Sequence, residues 1–490
     1  MSSRFLIVGI DQGTTGTTVL VLDQRLAIRG RGYCEIPQSY PQPGQVEHDP
    51  EAIWQSVLTA FAQARGQAGP REIAAIGITN QRETTVLWDR ATGRPVAPAI
   101  VWQDRRTAEM CDRLRAEGLE PLVRQRTGLL LDPYFSASKI AWLLDHTPDL
   151  RRRAEAGEIA FGTVDSFLIW RLSGGQVHLT DVSNASRTSL LDLESLQWSP
   201  EMCRIFGVPA ALLPQVGPSS GRLAVTQGAS GIPDGILLAA AAGDQQAALF
   251  GQRCLQPGDA KCTFGTGSFL LMNVGPRPVL SRHRLLGTVA WQTATETAYA
   301  LEGSAFVSGA LVQWLRDGLG IIRQAAESEG LAASVPDDGG VTIVPALAGL
   351  GAPHWRSQAR GAILGLTRGT RAAHIARAAL QAMALQNVDL VRAMEQDAGR
   401  VLTGLRVDGG ATANNLLMQI QADLLGADIV RPAQVELTAL GAARLAAEGA
   451  GLAIDASDAT DSDATVFRPR MLASERDQIL SRWREAIAKA

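Results

Sequence analysis

Residues 5–23 read FLIVGIDQGTTGTTVLVLD, in which two apolar runs flank a turn of small polar residues. Short apolar runs bounded by glycine and threonine indicate buried β-strands, so this segment predicts a β-hairpin. A similar pattern returns about 250 residues later, where apolar runs at 260–264 and 269–274 flank the small residues 265–267. We interpret the two segments as an internal duplication, with one hairpin in each half of the chain.

Outside the hairpins, strand-like and helical patterns alternate. Strand-like runs occur at 73–78, 85–88, 99–102, 236–242, 405–408 and 427–430. Helical patterns occur at 370–399, with Thr370 as the predicted N-cap, at 414–425 and at 437–448. Strands that alternate with helices predict an α/β fold. No low-complexity linker separates the halves, and we predict the division within residues 243–251.

The composition excludes several classes of protein. The 490 residues carry 46 basic and 49 acidic side chains, a net charge of -3, which gives no positive surface for nucleic acid or an anionic membrane. Hydrophobic residues make up 46% of the chain and charged residues 19%, as in a globular protein. Lys139, Lys261 and Lys489 are the lysines, and none follows a glycine, which excludes a GK[ST] phosphate loop.

The cysteines and apolar segments indicate a protein of the reducing cytoplasm. The chain has 5 cysteines without a C-x-x-C pair, and its 6 histidines form no compact metal-ligand spacing. The first apolar run is too short for a signal peptide, and no run is long enough for a membrane span. We therefore expect a cytoplasmic protein without membrane insertion.

The two hairpin turns suit phosphate. Consecutive small residues around Thr14, Thr15 and Gly16 let backbone N–H groups point to one place, and threonine hydroxyls add donors. The turn at 265–267 has the same character, although either turn alone could be an ordinary hairpin tip. Gly409 and Gly410 lie between a predicted strand and a helix, where they could contact a nucleotide or simply allow a positive φ.

Other polar residues at predicted strand ends suit an alcohol. Arg82 and Glu83 can donate to and accept from neighbouring hydroxyls, although adjacent charges are more often a surface ion pair. Asp244 follows an apolar run and could take a proton from an alcohol, or it could cap a helix. Trp102, Tyr134 and Phe269 lie near these turns but could equally be core. A G-x-S-x-G pattern at 217–221 lacks the strand-to-helix context of a serine hydrolase, and we reject it.

Taken together, these segments resemble the sugar and polyol kinases of the FGGY family, which belongs to the actin-like ATPase superfamily. The resemblance covers almost the whole chain and depends on the order and number of its motifs. These motifs lie at 11–15, 77–84, 99–103, 131–136, 184–188, 242–247, 265–267, 359–362 and 407–410. The resemblance implies an α/β protein with two actin-like (RNase H-like) domains flanking a central cleft, at residues 1–246 and 247–490.

The resemblance also implies an activity and a set of site residues. The activity is ATP-dependent phosphorylation of a small polyol, glycerol, to sn-glycerol 3-phosphate, with Asp244 as general base. The polyol would be held in the first domain and the adenosine in the second, with Mg²⁺ near Asp11 and Asp244. The residues expected around the polyol are Arg82, Glu83, Trp102, Tyr134, Asp244, Gln245 and Phe269. The residues expected around ATP are Thr14, Thr15, Gly16, Thr266, Gly309, Gln313, Gly410 and Asn414.

Some positions depart from the family pattern. Thr18 stands where an arginine is common, which leaves one cation fewer near the phosphates, and Arg356 stands where an aspartate is usual. No lysine or arginine lies between Arg222 and Asp244, which argues against an inhibitory site for fructose 1,6-bisphosphate.

Two alternatives stay open: a kinase of the same family for another small polyol or a ketose, and a non-metabolic actin-like ATPase. The second would have no use for an alcohol site. The resemblance implies a homodimer or a homotetramer.

Overall fold

The computed structural model describes residues 5–356, 358–434, 436–455 and 463–490. Each half of the chain builds one large mixed β-sheet with helices packed against it. We call residues 5–251 the first half and residues 252–490 the second half.

The first half contains the strands and helices that follow. The strands are β1 (Leu6–Gln12), β2 (Gly16–Asp23), β3 (Ile28–Glu35), β4 (Glu47–His48), β5 (Ile73–Asn80), β6 (Val86–Asp89), β7 (Ala99–Ile100), β8 (Ile159–Gly162), β9 (Leu179–Asp181), β10 (Leu191–Asp192), β11 (Gln197–Trp198), β12 (Gln215–Gly217), β13 (Ser220–Val225) and β14 (Leu237–Gly243). The helices are α1 (Pro50–Ala68), α2 (Ala108–Ala116), α3 (Glu120–Thr127), α4 (Ser136–His146), α5 (Leu150–Glu155), α6 (Val164–Leu172), α7 (Val182–Ala185), α8 (Pro200–Phe206) and α9 (Asp244–Gly251).

The main sheet of the first half has the strand order β13-β14-β5-β1-β2-β3. Strands β1 and β2 form the predicted antiparallel hairpin, and β1 pairs in parallel with β5, which pairs in parallel with β14. The carboxyl ends of these three parallel strands therefore lie at one edge of the sheet. This edge carries the turn after β1, the segment that contains Arg82 and Glu83, and Asp244 at the start of α9.

The second half repeats this plan. Its strands are β15 (Asp259–Phe264), β16 (Ser268–Gly275), β17 (Leu286–Gln292), β18 (Thr297–Ala305), β19 (Thr342–Val344), β20 (Ala362–Leu364), β21 (Gly404–Asp408), β22 (Ile429–Arg431) and β23 (Thr465–Phe467). Its helices are α10 (Gly309–Asp317), α11 (Glu327–Ala333), α12 (Ala372–Ala398), α13 (Asn415–Leu425), α14 (Leu437–Gly449) and α15 (Ala473–Lys489). The main sheet has the order β17-β18-β16-β15-β21-β22-β23.

The two sheets share their central topology, which confirms the predicted α/β class and one hairpin in each half. Strands β15 and β16 form an antiparallel hairpin, and β15 pairs in parallel with β21, as β1 does with β5. A third strand, β18, extends the hairpin of the second half, as β3 extends that of the first. This arrangement is the actin-like fold.

Helix α14 belongs to the second half but packs against the main sheet of the first half. Its Leu437, Leu440 and Ala443 share a buried apolar cluster with Ile7 of β1 and Ala239 of β14. The helix can approach because the facing strand positions lack side chains. A Cβ at Gly77 would lie 2.0 Å from the carbonyl oxygen of Ala442. The two halves therefore share one of their apolar cores.

This close approach gives a testable prediction for Gly77→Ala. We expect the substitution to lower the free energy of unfolding by about 1–3 kcal/mol, because the added methyl group overlaps helix backbone that cannot move without disturbing the shared core. Gly66→Ala is the control, because nothing lies within 4 Å of a Cβ at Gly66 in α1. That substitution should stabilise the protein by about 0.5–1 kcal/mol. Equal urea midpoints for the two variants would contradict this account of the packing.

Several predicted boundaries differ from the structure. The helix predicted from Thr370 begins at Ala372 with Arg371 as its N-cap. The prediction for Thr370 was wrong because its Oγ1 accepts a hydrogen bond from the Thr367 N–H in the preceding turn. The strand predicted at 427–430 begins two residues later, and the one predicted at 99–102 is only two residues long. The predicted domain boundary after residue 246 falls inside α9 and stays a prediction.

Candidate active site

The first of the two hairpin turns predicted to bind phosphate lies between β1 and β2. The Gly13 N–H donates to the Gly16 carbonyl at 2.9 Å and closes the turn, and the Ile36 N–H donates to the Thr15 carbonyl at 3.0 Å. The Thr15 side chain is exposed, and the Thr14 hydroxyl accepts a hydrogen bond of 2.9 Å from the Trp102 indole N–H. The turn is thus joined to one of the predicted polyol residues.

A cavity of about 460 Å³ lies beside the second of these turns, at residues 265–267 between β15 and β16. It is lined by the residues predicted to contact ATP in the second half, namely Thr266, Gly309, Gln313, Gly410 and Asn414. The lining also includes Ala326 and Glu329 from the segment around the start of α11, which the sequence did not indicate. Thr14, Thr15 and Gly16 are not part of this lining and belong to the turn of the first half.

Glycines shape the wall of this cavity. Gly409 has a φ of 92°, and a Cβ there would lie 2.4 Å from the Phe264 carbonyl oxygen. Of the two interpretations left open for this turn, the positive φ is observed at Gly409, and it brings the 410–413 turn against the end of β15. Asn414 caps α13, since its side chain accepts a hydrogen bond from the Leu417 N–H.

A second cavity, of about 270 Å³, has a wall rich in aromatic side chains. Trp102, Tyr134 and Phe269 line it, and the Trp102 ring lies in edge contact with the other two. Phe135, Phe306 and Trp355 are the other aromatic residues of the wall. Phe269 lies two residues after the second turn, so Trp102 connects the two turns through its ring on one side and its N–H on the other.

The charged residues predicted for the polyol, Arg82, Glu83 and Asp244, lie in a largely buried ion network and not on the lining of this cavity, whereas Glu302 of the same network does line it. Oδ1 of Asp244 lies 3.2 Å from Nε of Arg82, and Arg82 also donates to both carboxylate oxygens of Glu302 in β18. Arg187 donates to Glu83 at 2.6 Å and to Glu302 at 2.9 Å. The network thus joins residues of both halves.

Burial and ion pairing set the protonation of this network. Burial alone would raise the pKa of Glu302, but the charges of Arg187 and Arg82 lower it to about 2. Burial raises the pKa of Glu83, against the opposing charges of the same two arginines. Glu83 also has a φ of 61°, a conformation that is costly for a non-glycine residue and recurs at functional sites.

Glu302 and Arg187 were not predicted as site residues, and neither was Lys261. The Lys261 ammonium donates to Oε1 of Gln245 and, at 2.8 Å, to the Thr263 hydroxyl. Burial lowers the pKa of Lys261, while the charges of Asp408 and Asp244 oppose this shift. Gln245, predicted to bind the polyol, therefore has its amide oxygen directed to a buried lysine.

Asp11 and Asp244 form an acidic pair at the edge of the first sheet. Burial and the negative charges of Asp244 and Glu436 raise the pKa of Asp11 to about 8. Such a pair suits Mg²⁺, which is usually held by one or two carboxylates together with substrate phosphates. Within the described ranges, no group of three acidic, histidine or cysteine side chains could hold a metal by itself. The residues present therefore fit a cation that arrives with a nucleotide.

The structure shows the surroundings of the two residues that depart from the family pattern. Thr18 is buried in β2, opposite Asp11 in the hairpin, so no cation stands at that position. The Arg356 guanidinium donates to the Ile487 carbonyl near the carboxyl end of α15, where a cation is favourable. Arg356 thereby joins the loop that carries Trp355 to the last helix.

Comparison with known proteins agrees with this geometry. Residues 6–251 match the N-terminal domain of the FGGY family of carbohydrate kinases, and residues 260–450 match its C-terminal domain. The chain is 57% identical over 486 residues to the glycerol kinase of Alkalilimnicola ehrlichii, covering 99% of this chain and 98% of that protein. It is 54% identical over 491 residues to the glycerol kinase of Myxococcus xanthus, covering 99% of each.

Among solved structures, the chain resembles the Plasmodium falciparum glycerol kinase with ADP. The TM-score is 0.94 and the identity 35%, over 99% of this chain and 98% of that one. The xylulose kinase of Rhodospirillum rubrum, at 23% identity and a TM-score of 0.88, shares the fold. Since both family models match and together cover most of the sequence, the chain belongs to the FGGY family of carbohydrate kinases.

Proposed function

We propose that this chain phosphorylates glycerol with ATP to give sn-glycerol 3-phosphate, with Asp244 as the general base. The observation that carries the proposal is 57% identity, over 99% of the chain, to a protein named glycerol kinase. Two further observations support it: Asp244 lies beside Arg82, and a cavity that could take the nucleotide lies beside the second turn.

At the polyol end, Asp244 takes the proton of the attacking hydroxyl. Arg82 lies 3.2 Å from this carboxylate and orients it, and with Glu83 it can bind the hydroxyls that do not react. Trp102, Tyr134 and Phe269 face the carbon chain, while Gln245 contacts the polyol beside Asp244. A positioned carboxylate is sufficient as base because phosphoryl transfer depends mostly on alignment and charge neutralisation.

At the nucleotide end, the adenosine occupies the cavity lined by Gly309, Gln313, Gly410 and Asn414. The phosphates extend from it towards Thr14, Thr15 and Gly16 on one side and Thr266 on the other. Asp11 and Asp244 would hold Mg²⁺, which supplies charge neutralisation at the phosphates when it is bound. Packing of the two halves around both substrates would keep water from accepting the phosphoryl group.

A coupled assay of ADP release tests the activity. The full chain is incubated with ATP and Mg²⁺, with glycerol, erythritol, xylulose or no second substrate. We expect ADP release that depends on glycerol and exceeds the rates with the other two compounds. A higher rate with erythritol or xylulose would support the alternative kinase, and equal release without any polyol would support a non-metabolic ATPase.

Location and assembly complete the proposal. In the part of the chain that the structure describes, no helix is long and apolar enough to cross a membrane. We propose that the enzyme is cytoplasmic and that it forms a homodimer or a homotetramer. Light scattering of the purified protein would test the oligomeric state.

A further inference from the structure

Glu302 lies in the second half, but its charge is neutralised by the first half. It belongs to β18, between the apolar Leu301 and the small Gly303, and its side chain is 2% exposed. An unpaired carboxylate at this depth would be very costly. Arg82 and Arg187, both from the first half, provide the positive charges that make its burial possible.

Both carboxylate oxygens of Glu302 accept hydrogen bonds from the planar guanidinium group of Arg82. Nη1 of Arg82 donates to Oε2 at 2.5 Å, and Nη2 donates to Oε1 at 3.2 Å. Because the guanidinium group is planar and rigid, fixing these two nitrogens also fixes the direction of Nε. Nε of Arg82 is the atom that lies 3.2 Å from Oδ1 of Asp244.

Glu302 also reaches Glu83 indirectly. Its Oε1 accepts a hydrogen bond of 2.9 Å from Nη2 of Arg187, and Nε of Arg187 donates to Glu83 at 2.6 Å. Within the described residues, the buried Nη1 of Arg187 has no hydrogen-bond partner. Arg82 also donates to Oε1 of Gln246 at 3.3 Å, but Glu302 is the carboxylate that accepts hydrogen bonds from both arginines.

We propose that Glu302 is a positioning residue for the polyol, through which the second half orders Arg82 and Glu83 in the first. The inference rests on the proposed function, since it takes these two residues as polyol ligands. In this arrangement the polyol site is complete only when β18 packs against the first half. Polyol affinity and the contact between the halves are therefore coupled by one carboxylate.

The chain offers a matched control on the same strand. The Tyr299 hydroxyl donates to the Leu193 carbonyl at 3.1 Å, which is also a buried contact between the halves. This contact involves none of the proposed polyol ligands. Tyr299→Phe therefore removes an interaction between the halves without disturbing the charges around Arg82.

The test is steady-state kinetics of the full chain with glycerol and ATP as varied substrates. We expect Glu302→Gln to raise KM for glycerol by about 10- to 100-fold, as for loss of a charge-assisted hydrogen bond, with KM for ATP changed by less than about twofold. Glu302→Asp keeps the charge and should raise KM for glycerol less. Tyr299→Phe should leave both KM values unchanged. In an Arg82→Ala background, Glu302→Gln should add little.

Other outcomes would overturn the inference. It is wrong if KM for glycerol in Glu302→Gln stays at the value of Tyr299→Phe, if both KM values rise together, or if the effect adds fully to that of Arg82→Ala. Should Glu302→Gln fail to fold, the same criteria apply to Glu302→Asp. A wild-type chain without glycerol-dependent ADP release would instead refute the proposed function, so the two failures are distinguishable.

Discussion

Asp244→Asn is expected to lower kcat for glycerol phosphorylation by about 10²- to 10⁴-fold, the usual contribution of a positioned general base. Asparagine has nearly the same shape as aspartate and can still accept from Arg82, so the site keeps its geometry. It cannot take the proton of the hydroxyl, and the lost carboxylate also weakens the acidic pair with Asp11. Rapid-quench measurement of the chemical step at saturating glycerol and ATP checks the prediction.

Asp132→Asn is the matched control for this variant. Asp132 borders the aromatic cavity and pairs with Arg105 at 2.8 Å. The side chains of Asp132 and Asp244 are 26% and 31% exposed, so the two carboxylates are similarly accessible to solvent. Asp132→Asn should change kcat far less than Asp244→Asn does. Near-normal turnover of Asp244→Asn, or equal losses in both variants, would remove Asp244 from the role of base.

Arg82→Ala should raise KM for glycerol by about 10- to 100-fold, because the polyol loses a charged hydrogen-bond donor. KM for ATP should stay close to the wild-type value, since Arg82 does not line the nucleotide cavity. The substitution also leaves Glu302 with one positive partner fewer in a buried site, so the protein should be less stable. Steady-state kinetics and thermal unfolding of the same preparations measure the two effects.

Two further variants separate binding from stability. Arg82→Lys keeps a positive charge but lacks the planar fork, so it should fold better than the alanine variant while still binding glycerol weakly. Arg105→Ala removes an exposed arginine from the lining of the aromatic cavity and should leave KM for glycerol nearly unchanged. An unchanged KM in both Arg82 variants would exclude Arg82 as a polyol ligand.

The features predicted best from the sequence are those that depend on neighbouring residues. The two hairpins were predicted because each strand pair is joined by a short turn of glycine and threonine. Thr266 and Gly410 of the second-half cavity lie in such turns, whereas Gly309 and Gln313 were expected only from the family resemblance. By contrast, the N-cap at Thr370 was predicted from residue type alone, and its hydroxyl is used by the turn before the helix.

The ion network was missed because its members are far apart in the chain. Residues 82, 187 and 302 meet only after both halves have folded, and no local pattern relates them. One signal was present: Glu302 is the charged residue in the otherwise uncharged strand TAYALEGSA, where a buried charge needs a partner. The sequence could not identify that partner, because its 43 arginines leave many candidates.

The packing of α14 on the sheet of the other half limits how such enzymes can be recombined. A chimera that took residues 5–251 from this chain and the remainder from a homologue would combine the glycine-faced strands of one parent with the covering helix of the other. A bulkier residue on either side would force the two surfaces apart, so the matching positions must be exchanged together. Gene shuffling should therefore favour crossovers that keep the α14 segment with its sheet.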